Sequence, residues 1–190
     1  MKPRDPLKIA AIKSATVELV AREGLSAFQM SALSKHTQLG MGTIYGYFPG
    51  KEELINAVFK ELKQQHTPKI YRNINVNGVF KDAFDLLCRN YINHRRRHHH
   101  EHVFIEQCQR SQFLDTEARA YDAAAYEVLF QLLDKGKREH LVKHLPNALL
   151  AAQMIGAANS IIDMSATGAF RLTLQLIDEM VQMSWDAIRL

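Results

Sequence analysis

The chain has 190 residues, 47% of them hydrophobic and 23% charged, with a formal net charge of +4, which is the composition of an ordinary soluble protein. It lacks the roughly 18 consecutive apolar residues that a membrane-spanning helix needs, and no apolar signal core follows the N-terminus, so we expect a cytoplasmic protein without membrane contact. Its two cysteines, Cys88 and Cys108, are too few for a disulfide framework or a four-cysteine zinc site.

The excess positive charge lies near the N-terminus. Residues 1–51 hold seven Lys or Arg against three Asp or Glu, whereas the remaining residues hold 17 of each. An N-terminal segment with this excess suits attraction to the phosphates of a nucleic acid.

The first helix is predicted by apolar residues at helical spacing from Ile9 to Arg22, with Gly24 as a left-handed stop. Before it, Lys2 to Asp5 forms a basic, proline-containing arm. That arm is either a frayed terminus or a contact to a DNA backbone, and the sequence leaves both readings open.

Two short helices follow, Met30 to His36 and a second within Leu39 to Lys51, joined by a turn at Thr37 to Gly40. In the second helix, Ile44 and Phe48 are four apart and form an apolar stripe for the core. Three hydroxyl-bearing side chains project elsewhere: Thr43, Tyr45 and Tyr47. This arrangement is typical of a helix-turn-helix whose second helix enters a DNA major groove.

From about Ile9 to Leu62 the chain resembles the TetR family of transcriptional regulators. The resemblance rests on Ala-Arg-Glu-Gly at 21–24, Met-Ser-Ala-Leu-Ser at 30–34, Gly-Thr-Ile-Tyr at 42–45 and Tyr-Phe-Pro-Gly-Lys-Glu-Glu-Leu at 47–54. It implies that the matching part binds operator DNA. The DNA-contacting residues that we expect are Gln29, Ser31, Gly40, Met41, Thr43, Tyr45, Tyr47 and Lys51.

The contacts expected differ in kind. Gln29, Ser31 and Lys51 suit phosphate, the tyrosine hydroxyls suit phosphate oxygens, and Thr43 suits a thymine methyl or a phosphate. The sequence departs from the family pattern at four positions of the turn and second helix: Gln38, Gly40, Met41 and Gly46. Few long side chains remain to read bases, so part of the discrimination is expected from DNA shape.

We expect an all-α protein with a three-helix DNA-binding domain at residues 1–51 and a connecting helix to about Gln65. Residues 66–190 would form a larger helical domain for ligand binding and dimerisation, with His66 to Gly78 as a connector. Five helices are predicted in this domain. The first begins near Val79, the second runs from Val103 to Phe113, and the third runs from Asp115 or Thr116 to just before Gly136. The last two cover Ala148 to Thr167 and Leu172 to Leu190.

The resemblance implies a homodimer through the last two helices, about 147–167 and 170–189, whose apolar residues suggest a second buried face. It also implies a repressor that a small molecule releases from DNA. The candidate pocket residues are Cys88, Tyr91, Phe104, Gln107, Cys108, Tyr121, Tyr126, Met154, Asn159 and Asp163.

Other readings stay open. On one uninterrupted helix, His94, His98, His102 and Glu106 would share a face and form a metal or proton sensor, although the run is more simply explained as a solvated helix junction. Another candidate signal for such a regulator is oxidation of Cys88 and Cys108. No metal or other cofactor is expected, and an enzyme is disfavoured because no Glu-x-x-His, His-Glu-x-x-His or phosphate-loop motif is present.

Overall fold

The computed structural model describes residues 5–190, and within that range the chain is all-α, as the sequence predicts. The one extended pairing in these residues is an isolated antiparallel bridge between Val142 and Arg189. The predicted arm at Lys2 to Asp5 lies, except for Asp5, outside the described residues. The helices are α1 (Pro6–Glu23), α2 (Met30–Thr37), α3 (Met41–Tyr47), α4 (Lys51–Ile70), α5 (Phe80–Arg97), α6 (His99–Gln109), α7 (Thr116–Ala124), α8 (Glu127–Arg138), α9 (Asn147–Ala166) and α10 (Leu174–Ile188).

The described residues form two compact units, each with its own hydrophobic core. Unit 1 comprises the described residues up to Gln65 together with His98–Asp122, and unit 2 comprises His66–Arg97 and Ala123–Leu190. Unit 1 therefore includes α6 and most of α7 in addition to the helix-turn-helix. The expected division into DNA-binding and ligand-binding domains is a statement about function and stays a prediction.

In unit 1, α1 packs against α2 and α6, and α2 packs against α3. Helix α1 begins at Pro6, earlier than predicted, because Asp5 caps it by accepting a hydrogen bond from the Leu7 N–H at 3.0 Å. Its far end is at Gly24, whose φ of 91° is a conformation that glycine adopts easily. Helix α1 is thereby held at both ends as the scaffold for α2 and α3.

In unit 2, α5 contacts α8, α9 and α10 and is the central helix of this unit. Its buried Phe80 and Phe84 lie with their ring centroids 5.9 Å and 5.7 Å from that of Trp185 in α10. These neighbours on several sides account for the wide buried face of α5.

Several predicted boundaries were wrong, among them that of α6, which runs from His99 to Gln109 and not from Val103 to Phe113. Helix α4 continues past Gln65 to Ile70, which shortens the connector; Pro68 is tolerated because it stands in the last turn. The predicted third body helix is two helices, broken near Ala125, whose carbonyl accepts a hydrogen bond from the Tyr71 hydroxyl at 2.7 Å.

Gly136 does not end a helix, contrary to prediction, but lies buried within α8. A Cβ built there would come 2.5 Å from the Phe80 ring and 2.6 Å from Val142, so the position requires glycine for close packing. The segment from Lys135 to Arg138 is accordingly helical and not part of a loop.

None of the helices within residues 5–190 combines the length and the apolar character needed to cross a bilayer.

Candidate nucleic-acid interface

The turn between α2 and α3 is built by local hydrogen bonds. Gln38 ends α2 in the left-handed conformation, with φ 55° and ψ 24°. For a residue other than glycine this conformation costs on the order of 1 kcal/mol. The Ser34 hydroxyl donates to the Leu39 carbonyl at 2.7 Å. These contacts fix the turn that leads into α3.

Helix α3 has one buried side and one exposed side. Ile44 is fully buried and Phe48 is 8% exposed, which confirms the predicted apolar stripe. Thr43 is exposed, and Tyr45 is 45% exposed. A Cβ built on Gly42 or Gly46 would meet nothing within 4 Å. The exposed side therefore combines two hydrogen-bonding side chains with bare backbone.

Two of the other predicted DNA contacts on α3 are less accessible. Met41 and Tyr47 are half-buried and pack against the unit 1 core. The Tyr47 hydroxyl accepts a hydrogen bond from the backbone N–H of Asp5 at 3.2 Å. Both residues therefore have a structural role in addition to the contact predicted for them.

The start of α2 is exposed, as phosphate contact there requires. Gln29 is the residue before the helix, and within the described chain its side chain makes no capping bond. The Ser31 hydroxyl donates to the Gln29 side-chain oxygen at 3.4 Å. Gly40, which precedes α3, is exposed as well.

Lys51 has an internal partner set that the sequence did not predict. Its ammonium donates to the Phe28 carbonyl at 2.7 Å and to the Leu25 carbonyl at 3.0 Å, and lies 4.9 Å from the centroid of the Phe113 ring. Burial lowers the pKa of this amine. These contacts explain why a lysine stands in the first turn of α4 even when no phosphate is bound. Contact between Lys51 and a DNA phosphate stays a prediction.

Six candidate pocket residues belong to unit 2, and one of them, Asp163, accepts a hydrogen bond from Arg95 at 2.9 Å. The Tyr91 hydroxyl donates to the Asn159 side-chain oxygen at 2.6 Å, joining α5 to α9. Cys88 and Met154 are buried in the core, and Tyr126 is half-buried at the start of α8. The candidate pocket residues of unit 2 therefore lie on α5, on α9 and at the start of α8.

The other four belong to unit 1. Phe104 and Cys108 are fully buried in its core, and Tyr121 accepts a hydrogen bond from the Gln64 side chain at 2.9 Å. Gln107 uses both ends of its amide on the backbone: Nε2 donates to the Val20 carbonyl at 3.2 Å, and Oε1 accepts from the Leu25 N–H at 2.6 Å. Gln107 is therefore a poor candidate for anchoring a ligand.

The uninterrupted helix assumed for the histidine face does not form. Helix α5 ends at Arg97, and His98, with φ −119° and ψ 43°, separates it from α6. His94 lies on α5, and its Nε2 is 2.5 Å from Nδ1 of His66 in unit 2. The single helix that would place all four residues on one face is therefore absent, and a metal or proton sensor here stays a prediction.

Both cysteines are shielded. Cys88 is 6% exposed and Cys108 is fully buried, and burial raises the pKa of each thiol to about 12. Reactive thiols are accessible and have lowered pKa values, so these side chains behave as small buried hydrophobes.

Sequence reasoning missed Arg95 as an interior residue. It was assigned to a solvated helix end, but its side chain is buried and donates to Asp163 in α9 at 2.9 Å. Arg95 follows Tyr91 by one helical turn, so it continues the buried face of α5. That spacing was the available signal, and the neighbouring arginines of the run obscured it.

The comparisons with known proteins agree with this architecture. The family model for the N-terminal domain of bacterial regulatory proteins of the tetR family matches residues 12–58, and that for the tetracyclin repressor-like C-terminal domain matches residues 59–190. The chain belongs to the TetR family. The resemblance, the all-α class and the helix-turn-helix predicted from the sequence are thereby confirmed.

Among TetR family structures, a transcription regulator from Marinobacter aquaeolei VT8 is similar over 100% of this chain and 99% of its own, with a TM-score of 0.85 and 24% identity. The FadR regulator from Bacillus subtilis in complex with stearoyl-CoA matches 92% of this chain and 96% of its own, with a TM-score of 0.66 and 20% identity. At these identities the likeness concerns the fold.

A curated relative, the fatty acid metabolism regulator protein of Bacillus subtilis, is 30% identical over 92 residues, which cover 48% of this chain. The matched segment spans about half of that relative, 47% of its length.

Proposed function

We propose that this protein is a homodimeric repressor that binds operator DNA through α3 and releases it when a small molecule binds the body. The observation that carries the proposal is the exposed side of α3, where Thr43 and Tyr45 project from a helix whose opposite side is buried by Ile44. An exposed threonine and tyrosine on the second helix of such a pair are placed to meet base edges and phosphates.

Dimerisation is supported by the outer sides of α9 and α10. Helix α9 buries Leu150, Met154 and Ala158 toward the core, yet Leu149 on it is 55% exposed, and Met183 on α10 is 62% exposed. Exposed apolar surface of this kind marks association sites. A Cβ on the exposed Gly156 would meet nothing within 4 Å, so a partner helix could approach closely there.

Two copies are required because each recognition helix reads one half-site, and successive major grooves on one face of DNA lie about 34 Å apart. A ligand that favours a dimer with another spacing lowers DNA affinity by linkage. Apolar positions of unit 2, with Tyr91 and Asn159 as polar groups, are the proposed ligand-contacting residues. Since a regulator of similar fold binds stearoyl-CoA, a long-chain acyl-CoA is the first compound to test.

The test is fluorescence anisotropy with labelled DNA from the region flanking the gene, compared with scrambled DNA of the same composition over a salt series. The proposal is supported if the wild type prefers the flanking DNA over scrambled DNA, if the double variant Tyr45→Phe, Thr43→Ala loses this preference, and if stearoyl-CoA reduces the binding. Binding that ignores DNA sequence and is unchanged in the variant contradicts the assignment of α3. Discrimination that no ligand alters contradicts only the release step.

A second signal is favoured by one observation, the pair formed by His66 and His94 in unit 2. Histidines titrate near neutral pH and bind transition metals, so the release signal would then be protons or a metal ion. Measuring operator binding with zinc, with chelator and at pH 5.5 separates this case from release by an organic molecule. If zinc or pH 5.5 weakens operator binding of the wild type but not of His94→Gln, the histidine signal is favoured.

A further inference from the structure

The turn between α1 and α2 sets the angle at which the helix pair leaves its scaffold. It begins at Gly24 and ends at Gln29, the residue before α2, and it buries Leu25 and Phe28. The turn closes on itself through a backbone bond from the Phe28 N–H to the Gly24 carbonyl at 3.1 Å, and its other polar groups need partners from other segments. Here they are held by side chains from α4 and α6.

Gln107 of α6 holds one side of the turn. Its amide spans the last turn of α1 and the start of the loop, since it bonds the Val20 carbonyl and the Leu25 N–H on either side of Gly24. Both atoms that can form hydrogen bonds are thus engaged with backbone groups. A shift of α6 must either carry the turn along or break these bonds.

Lys51 of α4 holds the other side of the turn through the carbonyls of Leu25 and Phe28. The aromatic rings of Phe28 and Phe113 lie 5.6 Å and 4.9 Å from its ammonium and favour its charge by cation–π attraction. Phe113 lies in the loop between α6 and α7. Residues 98–122 therefore reach the turn twice, directly by Gln107 and by way of Lys51.

Asn56 fixes the loop that carries Phe113. Its Nδ2 donates to the Phe113 carbonyl at 2.8 Å, and its Oδ1 accepts from the Asp115 N–H at 3.0 Å. Asn56 is 6% exposed, so these bonds are shielded from competition with water. The loop after α6 is consequently held against α4 one turn beyond Lys51.

We infer that Gln107 and Lys51 are positioning residues for DNA binding: together they form a turn clamp that couples α6 and the loop after it to the placement of α2 and α3. The inference rests on the proposed DNA binding and identifies residues of the same unit that control it. In the clamp, Lys51 acts through the turn and does not neutralise a phosphate.

The experiment is a double-mutant cycle on the full-length dimer with Gln107→Met, Lys51→Met and the double variant. The probe is a 30-base-pair duplex that the wild type selects from a random-sequence pool, and the readout is Kd and its salt dependence. Gln64→Met is the matched control, because Gln64 bonds Tyr121 in the same unit and does not touch the turn. Circular dichroism establishes that each variant is folded at the assay temperature.

We expect each single variant to weaken binding about tenfold, the typical effect of losing a hydrogen-bonded clamp of this size. The double variant should be little worse than either, because both side chains hold one turn. The salt slope should stay that of the wild type, and Gln64→Met should bind normally. A phosphate contact at Lys51 would instead reduce the slope by about 1.

The inference is overturned if Gln107→Met binds like the wild type, if the two losses add, if the slope falls in Lys51→Met, or if Gln64→Met loses as much affinity. Should Gln107→Met fail to fold, Gln107→Glu decides in its place, since it keeps the acceptor for Leu25 and loses the donor to Val20. If the wild type selects no duplex, the proposed DNA binding itself has failed, and this result is separate from a failure of the clamp.

Discussion

The hydroxyl of Tyr47 accepts a hydrogen bond from the backbone N–H of Asp5, and this bond ties the end of α3 to the start of α1. Asp5 is also the capping residue of α1. Tyr45, two residues earlier, is exposed instead. The two tyrosines of α3 therefore have separable roles: Tyr47 fixes the helix, and Tyr45 is the one whose hydroxyl is free to meet DNA in the proposed complex.

Tyr45→Phe should weaken operator binding about threefold to tenfold and leave the melting temperature unchanged, because it removes one exposed hydroxyl proposed to contact phosphate. Tyr47→Phe should instead lower the free energy of unfolding by about 1 kcal/mol through loss of the bond to Asp5. Anisotropy and thermal melts on both variants measure the difference. The reverse pattern, with Tyr47→Phe affecting only DNA affinity, would contradict this division.

Substitutions of Thr43 should change which sequence is preferred. Thr43→Ser removes the methyl group and Thr43→Val removes the hydroxyl, so the pair separates contact with a thymine methyl from a hydrogen bond. We expect Thr43→Ser to lose discrimination at one A·T pair, and Thr43→Val to keep it with weaker overall binding. Selection from a random pool followed by sequencing gives the preference of each variant; identical preferences in all three proteins would refute base contact by Thr43.

Lys51→Met should destabilise the fold. It leaves the carbonyls of Leu25 and Phe28 without their donor, at a cost of about 1 to 3 kcal/mol in the free energy of unfolding. Urea denaturation measures this loss, and Lys35→Met, which removes an exposed lysine of unit 1, is the matched control. A midpoint equal to that of the wild type would mean that the internal bonds contribute nothing to stability.

Ala157→Arg should produce a monomer, since it places a long cation on the exposed side of α9 where two copies are proposed to meet. Analytical ultracentrifugation gives the oligomeric state, and operator affinity should fall with it because both half-sites must be read. Gln131→Arg, on the exposed part of α8, controls for added charge. A dimeric Ala157→Arg would exclude this side of α9 as the interface.

The native thiols should react slowly with a disulfide reagent at pH 8. Because burial raises the pKa of Cys88 and Cys108 to about 12, thiolate forms in the folded protein only as pH rises toward that value, whereas unfolded cysteines ionise near 8.5. Timed reaction with a chromogenic disulfide should show two slow thiols that become fast in urea. Rapid native oxidation with loss of DNA binding would instead support a thiol-responsive regulator.

The sequence by itself determined the helical class, the helix-turn-helix and the side of α3 that faces the core. These depend on interactions within a few residues of each other: the spacing of Ile44 and Phe48, and the left-handed turn at Gln38. Interactions of this range join residues that are close in sequence, so they can be predicted without coordinates.

Only the tertiary structure decided the roles of residues whose partners are distant in sequence. Arg95 appeared to belong to a solvated run until Asp163 was found 68 positions away, and Gln107 appeared to be a pocket residue until its amide was found on Val20 and Leu25. Local spacing predicts which way a side chain points but not which backbone group it meets. For this reason Lys51 was assigned to phosphate alone, whereas folding brings its ammonium to two carbonyls more than twenty residues upstream.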